Sequence, residues 1–166
     1  MHVVVLADTH IRRGSSRRLP DRALVALERA DVILHAGDIV IGEVLDALAA
    51  YAPVHAVCGN NDPELAGRLP EALELDLDGL AVAMVHDSGP KRGRPERLRR
   101  WFPAADLVVF GHSHEPVNEG GVGGQWLLNP GSPTERRRQP HHTIGSFDVA
   151  SGALVDPQIL VVSGPA

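Results

Sequence analysis

The sequence predicts an α/β fold of mixed sheets, in which two β-sheets pack together and helices flank them. Short apolar runs alternate with amphipathic helical stretches, which is typical of strand-helix-strand units with parallel strands. Two further pairs of apolar runs are joined by Asp78-Gly79 and Ser151-Gly152, which are typical of antiparallel hairpins. Parallel and antiparallel strands together indicate a mixed sheet system, best accommodated by two packed sheets.

Six apolar runs are predicted strands, and each strand is followed by a cluster of Gly, Asp, Asn or His. Strand and cluster together occupy residues 2–10, 31–38, 53–62, 80–87, 106–114 and 125–132. Residues 19–30 and 42–51 are predicted helices, and the glycine-rich residues 118–124 are a predicted loop. Right-handed crossovers would place the carboxyl ends of the parallel strands on one edge, where open α/β sheets bind ligands.

Composition limits the class of protein. A chain of 166 residues suits one domain, and we expect residues 1–166 to form it. The formal net charge of -5 disfavours nucleic acid as a partner, and the lone Cys58 suits a reducing compartment. The N-terminal MHVVVLAD lacks the features of an export signal, and no apolar run approaches the roughly 18 residues of a membrane helix. We therefore expect a cytoplasmic protein without a membrane partner, and leave a homo-oligomer open.

The polar residues that follow the strands form the candidate site. They are Asp8, His10, Asp38, Asn60, Asn61, Asp62, His86, Asp87, His112, His114 and Asn129. Each alone is more often a cap, turn or surface group, but together they would project acidic, imidazole and amide groups into one crevice with almost no Lys or Arg. Such a set favours a cation.

The chemistry of this set suits Mn, Fe, Ni, Zn or Co, and the absence of thiolates argues against a structural zinc site. The candidate ligands are too many for one tetrahedral ion. Two ions about 3.5–4 Å apart would use them and would suit in-line displacement at phosphorus. Alternate residues of an extended tip would direct His112 and His114 toward neighbouring ions.

The ordered motifs DTH, GD, GNND, a histidine after an apolar strand, and GHSH resemble those of the calcineurin-like metallophosphoesterases. The resemblance spans residues 8–132 and is greatest to small single-domain phosphodiesterases of bacteria and archaea, in which NPGS also follows, here at residues 129–132. It implies a four-layer double β-sandwich flanked by helices. It also implies a metal-dependent phosphodiesterase that attacks a small-molecule phosphodiester with a hydroxide bridging two divalent ions, without a covalent enzyme intermediate.

The resemblance also implies a role for each motif residue. One ion would be bound by Asp8, His10 and His114, the other by Asn60, His86 and His112, and Asp38 would bridge them. Mn is the expected metal, with Ni, Fe, Co or Zn as alternatives. Through the hydroxide, Asp38, Asn60, His86 and His112 would serve catalysis, while Asp62 would support its loop without binding metal.

Substrate contacts are expected from Asn61 and from Arg136, which lies in a basic stretch soon after NPGS. Asn61 stands where many family members have a histidine thought to protonate the leaving group. This departure predicts a preference for good leaving groups such as aryl esters. Asp87 follows His86 where the family commonly has glycine, and it adds a negative charge near the second ion.

Other functions stay open on the sequence. The GD motif is not followed by the arginine of the related protein phosphatases, which disfavours that activity. One branch of the fold serves protein assembly and has lost several ligands, so a non-catalytic metal-binding scaffold for protein interactions is an alternative. A nuclease is a second alternative, disfavoured by the acidic net charge and by the lack of interleaved aromatic and basic residues.

Overall fold

The computed structural model describes residues 1–163, which form ten strands and three helices. In chain order the elements are β1 (His2–Leu6), α1 (Asp21–Leu27), β2 (Val32–His35), α2 (Gly42–Ala49), β3 (Val54–Ala56), β4 (Ala72–Leu77), β5 (Leu80–Val85), α3 (Arg94–Trp101), β6 (Leu107–Phe110), β7 (Val117–Gly120), β8 (Trp126–Asn129), β9 (Thr143–Ala150) and β10 (Ala153–Val161).

The strands form two five-stranded mixed sheets, so the predicted α/β class with mixed sheets is confirmed. The first sheet has the order β10-β9-β1-β2-β3, with β1, β2 and β3 parallel and β9 antiparallel to β1 and β10. The second has the order β4-β5-β6-β8-β7, with β5, β6 and β8 parallel and antiparallel strands at both edges. Both predicted hairpins form.

Alternating burial explains the layers. In β1, Val3 and Val5 pack between the two sheets, whereas Val4 and Leu6 pack outward against the side of the first sheet that carries α1 and α2. On the far side of the second sheet, Leu98 of α3 packs with its neighbours over β6. The order helices, sheet, sheet, helix is the four-layer double β-sandwich that was predicted.

One element differs from the prediction. Residues 118–124 were expected to be a loop, but Val117–Gly120 forms β7, which pairs antiparallel with β8. The pairing uses backbone groups, which need no apolar side chains, and Trp126 Nε1 donates to Asn118 Oδ1 at 2.7 Å beside it. The polar clusters that follow the predicted strands lie in loops after the strands end, as the sequence indicated.

The candidate site lies where loops leave the carboxyl ends of β1, β2, β3, β5 and β6. These strands belong to both sheets, so the site is formed along one edge of the sandwich. None of the helices in residues 1–163 has the length and hydropathy needed to cross a membrane.

Candidate metal centre

One group of predicted ligands consists of Asp8, His10 and His114, each of which is buried. One ligand atom from each lies within 4.8 Å of the others. The Nε2 atom of His114 lies 3.3 Å from Asp8 Oδ1 and 3.2 Å from His10 Nε2. Three atoms of this kind, converging from the loops after β1 and β6, could hold one metal ion.

A second group lies around Asn60, whose Oδ1 is 3.1 Å from His86 Nε2 and 3.0 Å from His112 Nδ1. Asp38 lies between the groups, with Oδ1 3.4 Å from His86 Nε2 and Oδ2 3.4 Å from His10 Nε2. Asp8, Asp38 and His86 also bring one ligand atom each within 4.8 Å of one another. All the residues predicted to bind metal are therefore brought together.

The loops at the strand ends are sharply turned. Five predicted ligands have a left-handed backbone, with φ of 54° at Asp8, 44° at His10, 57° at Asp38, 67° at His112 and 57° at His114. The expectation of an extended tip at His112 and His114 is therefore wrong. Asp and His tolerate this region better than most residues, but strain of this kind costs about 1–3 kcal/mol per residue and clusters at functional sites.

A motif glycine permits the close approach of two of these loops. A Cβ added at Gly59 would lie 2.2 Å from Asp38 N and 2.3 Å from Asp38 Oδ1. No side chain fits in that space, so the loops after β2 and β3 contact each other only with glycine at this position.

Asp62 joins the same two loops by hydrogen bonds and is itself buried. Its Oδ2 accepts from Asp38 N at 3.0 Å and Gly59 N at 2.7 Å, and its Oδ1 accepts from Val40 N at 2.6 Å. Both carboxylate oxygens are therefore occupied by backbone donors, which fits support of the loop and not ligation.

The ring orientation of two histidines is determined by backbone carbonyls. His86 Nδ1 donates to Ala36 O at 2.7 Å, and His114 Nδ1 donates to Glu135 O. In the neutral ring of His114 this leaves an unprotonated Nε2 facing Asp8. Histidines that bind metals commonly donate their second nitrogen in this way.

A segment after β8 holds the Asp8 loop by side-chain hydrogen bonds. Ser132 Oγ donates to Asp8 O at 2.7 Å, and Thr134 Oγ1 donates to Thr9 O at 2.5 Å. The NPGS motif pointed to Ser132, but no sequence signal pointed to Thr134 or to the carbonyl of Glu135. Thr134 donates to a main-chain oxygen and Glu135 contributes one, and every residue carries such an oxygen, so the sequence does not mark these positions.

Arg17 also contacts this region and was not predicted. Its Nη1 donates to Glu135 Oε2 at 2.7 Å and to His10 O at 3.2 Å. It therefore connects the loop after β1 to the segment that orients His114.

The two predicted substrate contacts lie in different surroundings. Asn61 donates from N to Asp38 Oδ1 at 2.8 Å and from Nδ2 to Asp38 Oδ2 at 2.7 Å, so it orients this carboxylate. Arg136 Nη1 donates to Gln139 O at 2.6 Å, within its own loop. Arg137, which was not chosen from the sequence, has Nη1 3.4 Å from His112 O and so lies beside the ligands.

The two carboxylates differ in their electrostatics. Burial raises the pKa of Asp8 to about 7, against the opposing charge of His86. Burial also raises the pKa of Asp38, but hydrogen bonds from His86 and Asn61 outweigh it and hold this pKa below its usual range. Burial lowers the pKa of His10 and lowers that of His114 to about 4, so both rings are neutral near pH 7.

The surroundings of the Asp8 carboxylate fit a metal ion. Within residues 1–163, neither Oδ1 nor Oδ2 of Asp8 has a hydrogen-bond partner, although both are buried. Buried carboxylate oxygens without partners are costly, and neutral imidazoles beside them offer lone pairs instead of protons. A divalent cation would satisfy both kinds of group.

Comparison with known proteins places this site in a family. Residues 1–152 match the family model described as the calcineurin-like phosphoesterase superfamily domain. The chain is 31% identical over 169 residues to a probable metallophosphoesterase of Methanothermobacter thermautotrophicus, which covers 99% of this chain and 95% of that protein. It is 33% identical over 140 residues to a probable metallophosphoesterase of Methanocaldococcus jannaschii, which covers 82% of this chain and 70% of that protein.

Solved structures share the fold at lower identity. Vps29 of Entamoeba histolytica, complexed with zinc, has a TM-score of 0.76 at 22% identity and covers 98% of this chain and 100% of its own. Vps29 of Chaetomium thermophilum, complexed with a cyclic peptide, has a TM-score of 0.73 at 17% identity and covers 99% and 98%. The family predicted from the motifs is confirmed, and the chain belongs to the calcineurin-like phosphoesterase superfamily.

Proposed function

We propose that the protein is a phosphodiesterase that hydrolyses a small phosphodiester with two divalent ions. The observation that carries this proposal is the buried carboxylate of Asp8, whose two oxygens lack partners among the described residues and face two converging groups of ligand atoms. Family membership supports a phosphoesterase, since the curated relatives are named probable metallophosphoesterases.

Each ion is assigned to one group of side chains. Asp8, His10 and His114 would hold the first ion, and Asn60, His86 and His112 the second, with Asp38 shared between them. Mn is the metal we propose, with Ni, Fe, Co or Zn as alternatives, because imidazole, carboxylate and amide oxygen suit these ions.

The chemistry that two divalent ions supply in such a site is activation of water and neutralisation of charge on phosphoryl oxygens. The chain itself orients the ligands for this chemistry. Asp62 holds the Asp38 loop against Gly59, and Asn61 donates to both oxygens of Asp38. These bonds keep the shared carboxylate directed toward both groups of ligands.

Substrate contacts are proposed from the loops around the ligands. Asn61 is half-buried beside Asp38, and its amide is not an acid, so it does not protonate a leaving group. This supports a preference for aryl esters and other good leaving groups. Arg136 and Arg137 are the candidate cations for phosphoryl oxygens, and the bond of Arg137 to His112 O places it nearer the ligands.

The test is hydrolysis of bis(p-nitrophenyl) phosphate against p-nitrophenyl phosphate by metal-stripped protein re-loaded with Mn. We expect metal-dependent turnover of the diester, lost in Asp38→Asn and His112→Ala. His141→Ala, at an exposed histidine outside the ligand groups, is the matched control and should keep the activity. No turnover with Mn, Ni, Co or Zn, despite two bound ions, would contradict the proposal.

A protein-interaction scaffold is the second candidate. The likeness to Vps29 complexed with a cyclic peptide is the observation that keeps it open. Every residue expected to bind metal is present and these side chains converge, which favours the enzyme. A nuclease is disfavoured by the net charge of -5.

The remaining expectations concern the chain as a whole. We propose that residues 1–166 form one domain that works in the cytoplasm, where the free thiol of Cys58 would stay reduced.

A further inference from the structure

A cavity of about 370 Å³ opens beside the second group of ligands. Its lining residues include the predicted ligands Asn60, His86 and His112 and the acidic residues Glu71 and Asp87. Its lining residues include no Lys or Arg. A group attached to a phosphorus atom at the proposed ions and extending into this cavity would therefore meet negative charge.

The two carboxylates differ in their own partners. Glu71 is exposed, and it makes no hydrogen bond or ion pair with another residue in 1–163. Asp87 is also exposed, and its Oδ1 accepts from Gly89 N at 2.7 Å. Its charge acts on Arg94, whose guanidinium lies over the Phe110 ring on the far side of the second sheet. Glu71 is thus the less compensated of the two charges.

A second cavity has lining residues of both charges. It measures about 500 Å³, and its charged lining residues are Arg17, Arg18 and Asp21. Arg17 reaches His10 O, so this cavity adjoins the first group of ligands. Arg17 is paired with Glu135 Oε2 at 2.7 Å, so of these two cavities only the one lined by Glu71 and Asp87 has charged lining residues of a single sign, which would distinguish substrates by the charge of their substituents.

We propose that the acidic cavity receives one alcohol of the phosphodiester, and that Glu71 and Asp87 select alcohols that carry a cationic ammonium group. The inference rests on the proposed phosphodiesterase function and names its substrate class, a zwitterionic diester. An anionic substituent would be repelled from the same cavity. The attraction between a cationic ammonium group and one carboxylate about 4 Å away in water corresponds to a roughly fivefold preference for the cationic substrate. Each of the two carboxylates would contribute such a factor.

The test uses two esters of the same shape that differ only in charge. One is p-nitrophenyl phosphorylcholine, and the other is p-nitrophenyl 3,3-dimethylbutyl phosphate, in which carbon replaces the quaternary nitrogen. With Mn-loaded protein we expect kcat/KM to be roughly five to twenty-five times higher for the cationic ester. The ratio should fall in Glu71→Gln and in Asp87→Asn, should approach one in the double variant, and should shrink in 0.5 M salt because exposed charges are screened.

Glu74→Gln is the matched control, since Glu74 is an exposed glutamate three positions away that lines a different cavity. It should leave the ratio unchanged. Calorimetric binding of phosphocholine and of 3,3-dimethylbutyl phosphate to the Mn-loaded protein is a second measurement, independent of turnover. Tighter binding of phosphocholine, lost in the double variant, is expected.

The outcomes separate this inference from the proposed function. Turnover of both esters at equal kcat/KM would overturn the selectivity and leave the phosphodiesterase intact. If neither ester is hydrolysed by the Mn-loaded protein, the phosphodiesterase fails. The calorimetric comparison then tests whether the cavity prefers a cationic group. Equal affinity for phosphocholine and 3,3-dimethylbutyl phosphate overturns the inference.

Discussion

Replacing Asp62 with asparagine tests how the candidate site is held in shape. The carboxylate accepts three backbone N–H groups, from Asp38, Val40 and Gly59, and it is 1% exposed. The asparagine side chain has one acceptor oxygen in place of two. If that oxygen takes the Oδ2 position, the amide NH₂ faces Val40 N, and two donors oppose each other.

The magnitude follows from these bonds. A hydrogen bond to a charged group contributes about 1.5–3 kcal/mol, and leaving a buried donor without a partner costs a similar amount. Because Asp62→Asn loses one such bond outright and weakens two, we expect the free energy of unfolding of the metal-free protein to fall by roughly 2–4 kcal/mol. The loops after β2 and β3 carry Asp38 and Asn60, so metal affinity should also fall, by about 10–100-fold.

The assay is urea unfolding of the metal-free protein, followed by circular dichroism, and titration of the folded protein with Mn. Glu64→Gln is the control, because Glu64 is an exposed acid two residues away that pairs with Arg13 at 2.9 Å. Exposed pairs contribute at most about 1 kcal/mol. An Asp62→Asn protein as stable as this control would refute the reasoning that these three bonds hold the loops.

Further predictions concern pH, steric space and ligand orientation. Apparent Mn affinity should rise about tenfold per pH unit below pH 7, because burial raises the pKa of Asp8 to about 7 and metal requires its ionised form. His114, whose pKa burial lowers to about 4, should add no step above pH 5. Gly59→Ala should abolish Mn binding, since the new Cβ would displace Asp38, and calorimetry would show it. Glu135→Gln should weaken one of two Mn-binding steps severalfold while changing stability by less than about 1 kcal/mol, because its pair with Arg17 is half-exposed.

Each of these predictions has a control or a contradicting result. Affinity independent of pH between 5 and 8 would show that Asp8 is not a ligand. Gly120→Ala should bind Mn normally, because a Cβ at Gly120 meets only Trp126 at 3.8 Å. Equal weakening of both Mn-binding steps in Glu135→Gln would contradict an effect confined to the group that contains His114.

The fold could be predicted where local sequence determines local geometry. Asp78 and Gly79 both have positive φ, of 53° and 91°, as a primed hairpin turn requires, and the residue pair signals this directly. β7 carries no such signal, because its Asn, Glu and Gly residues are stabilised by backbone pairing with β8. α3 carries only a weak signal, since in a strongly basic stretch Leu98 is its only fully buried apolar residue.

The candidate site could likewise be predicted only in part. Its predicted ligands follow strand ends, so the motifs and the parallel topology together place them on one edge. Residues that act through the main chain were missed. Thr134 bonds to Thr9 across 125 residues of sequence, and the carbonyl that orients His114 belongs to Glu135 although any residue could supply it. A basic stretch likewise does not say whether Arg136 or Arg137 faces the ligands.

Anomalous diffraction from crystals soaked in Mn²⁺ is the measurement that tests the two-ion site most directly. The account predicts two anomalous peaks about 3.5–4 Å apart, one within bonding distance of Asp8 and His114 and the other of Asn60 and His86, with Asp38 between them. A single peak, or Mn bound only outside these side chains, would contradict it.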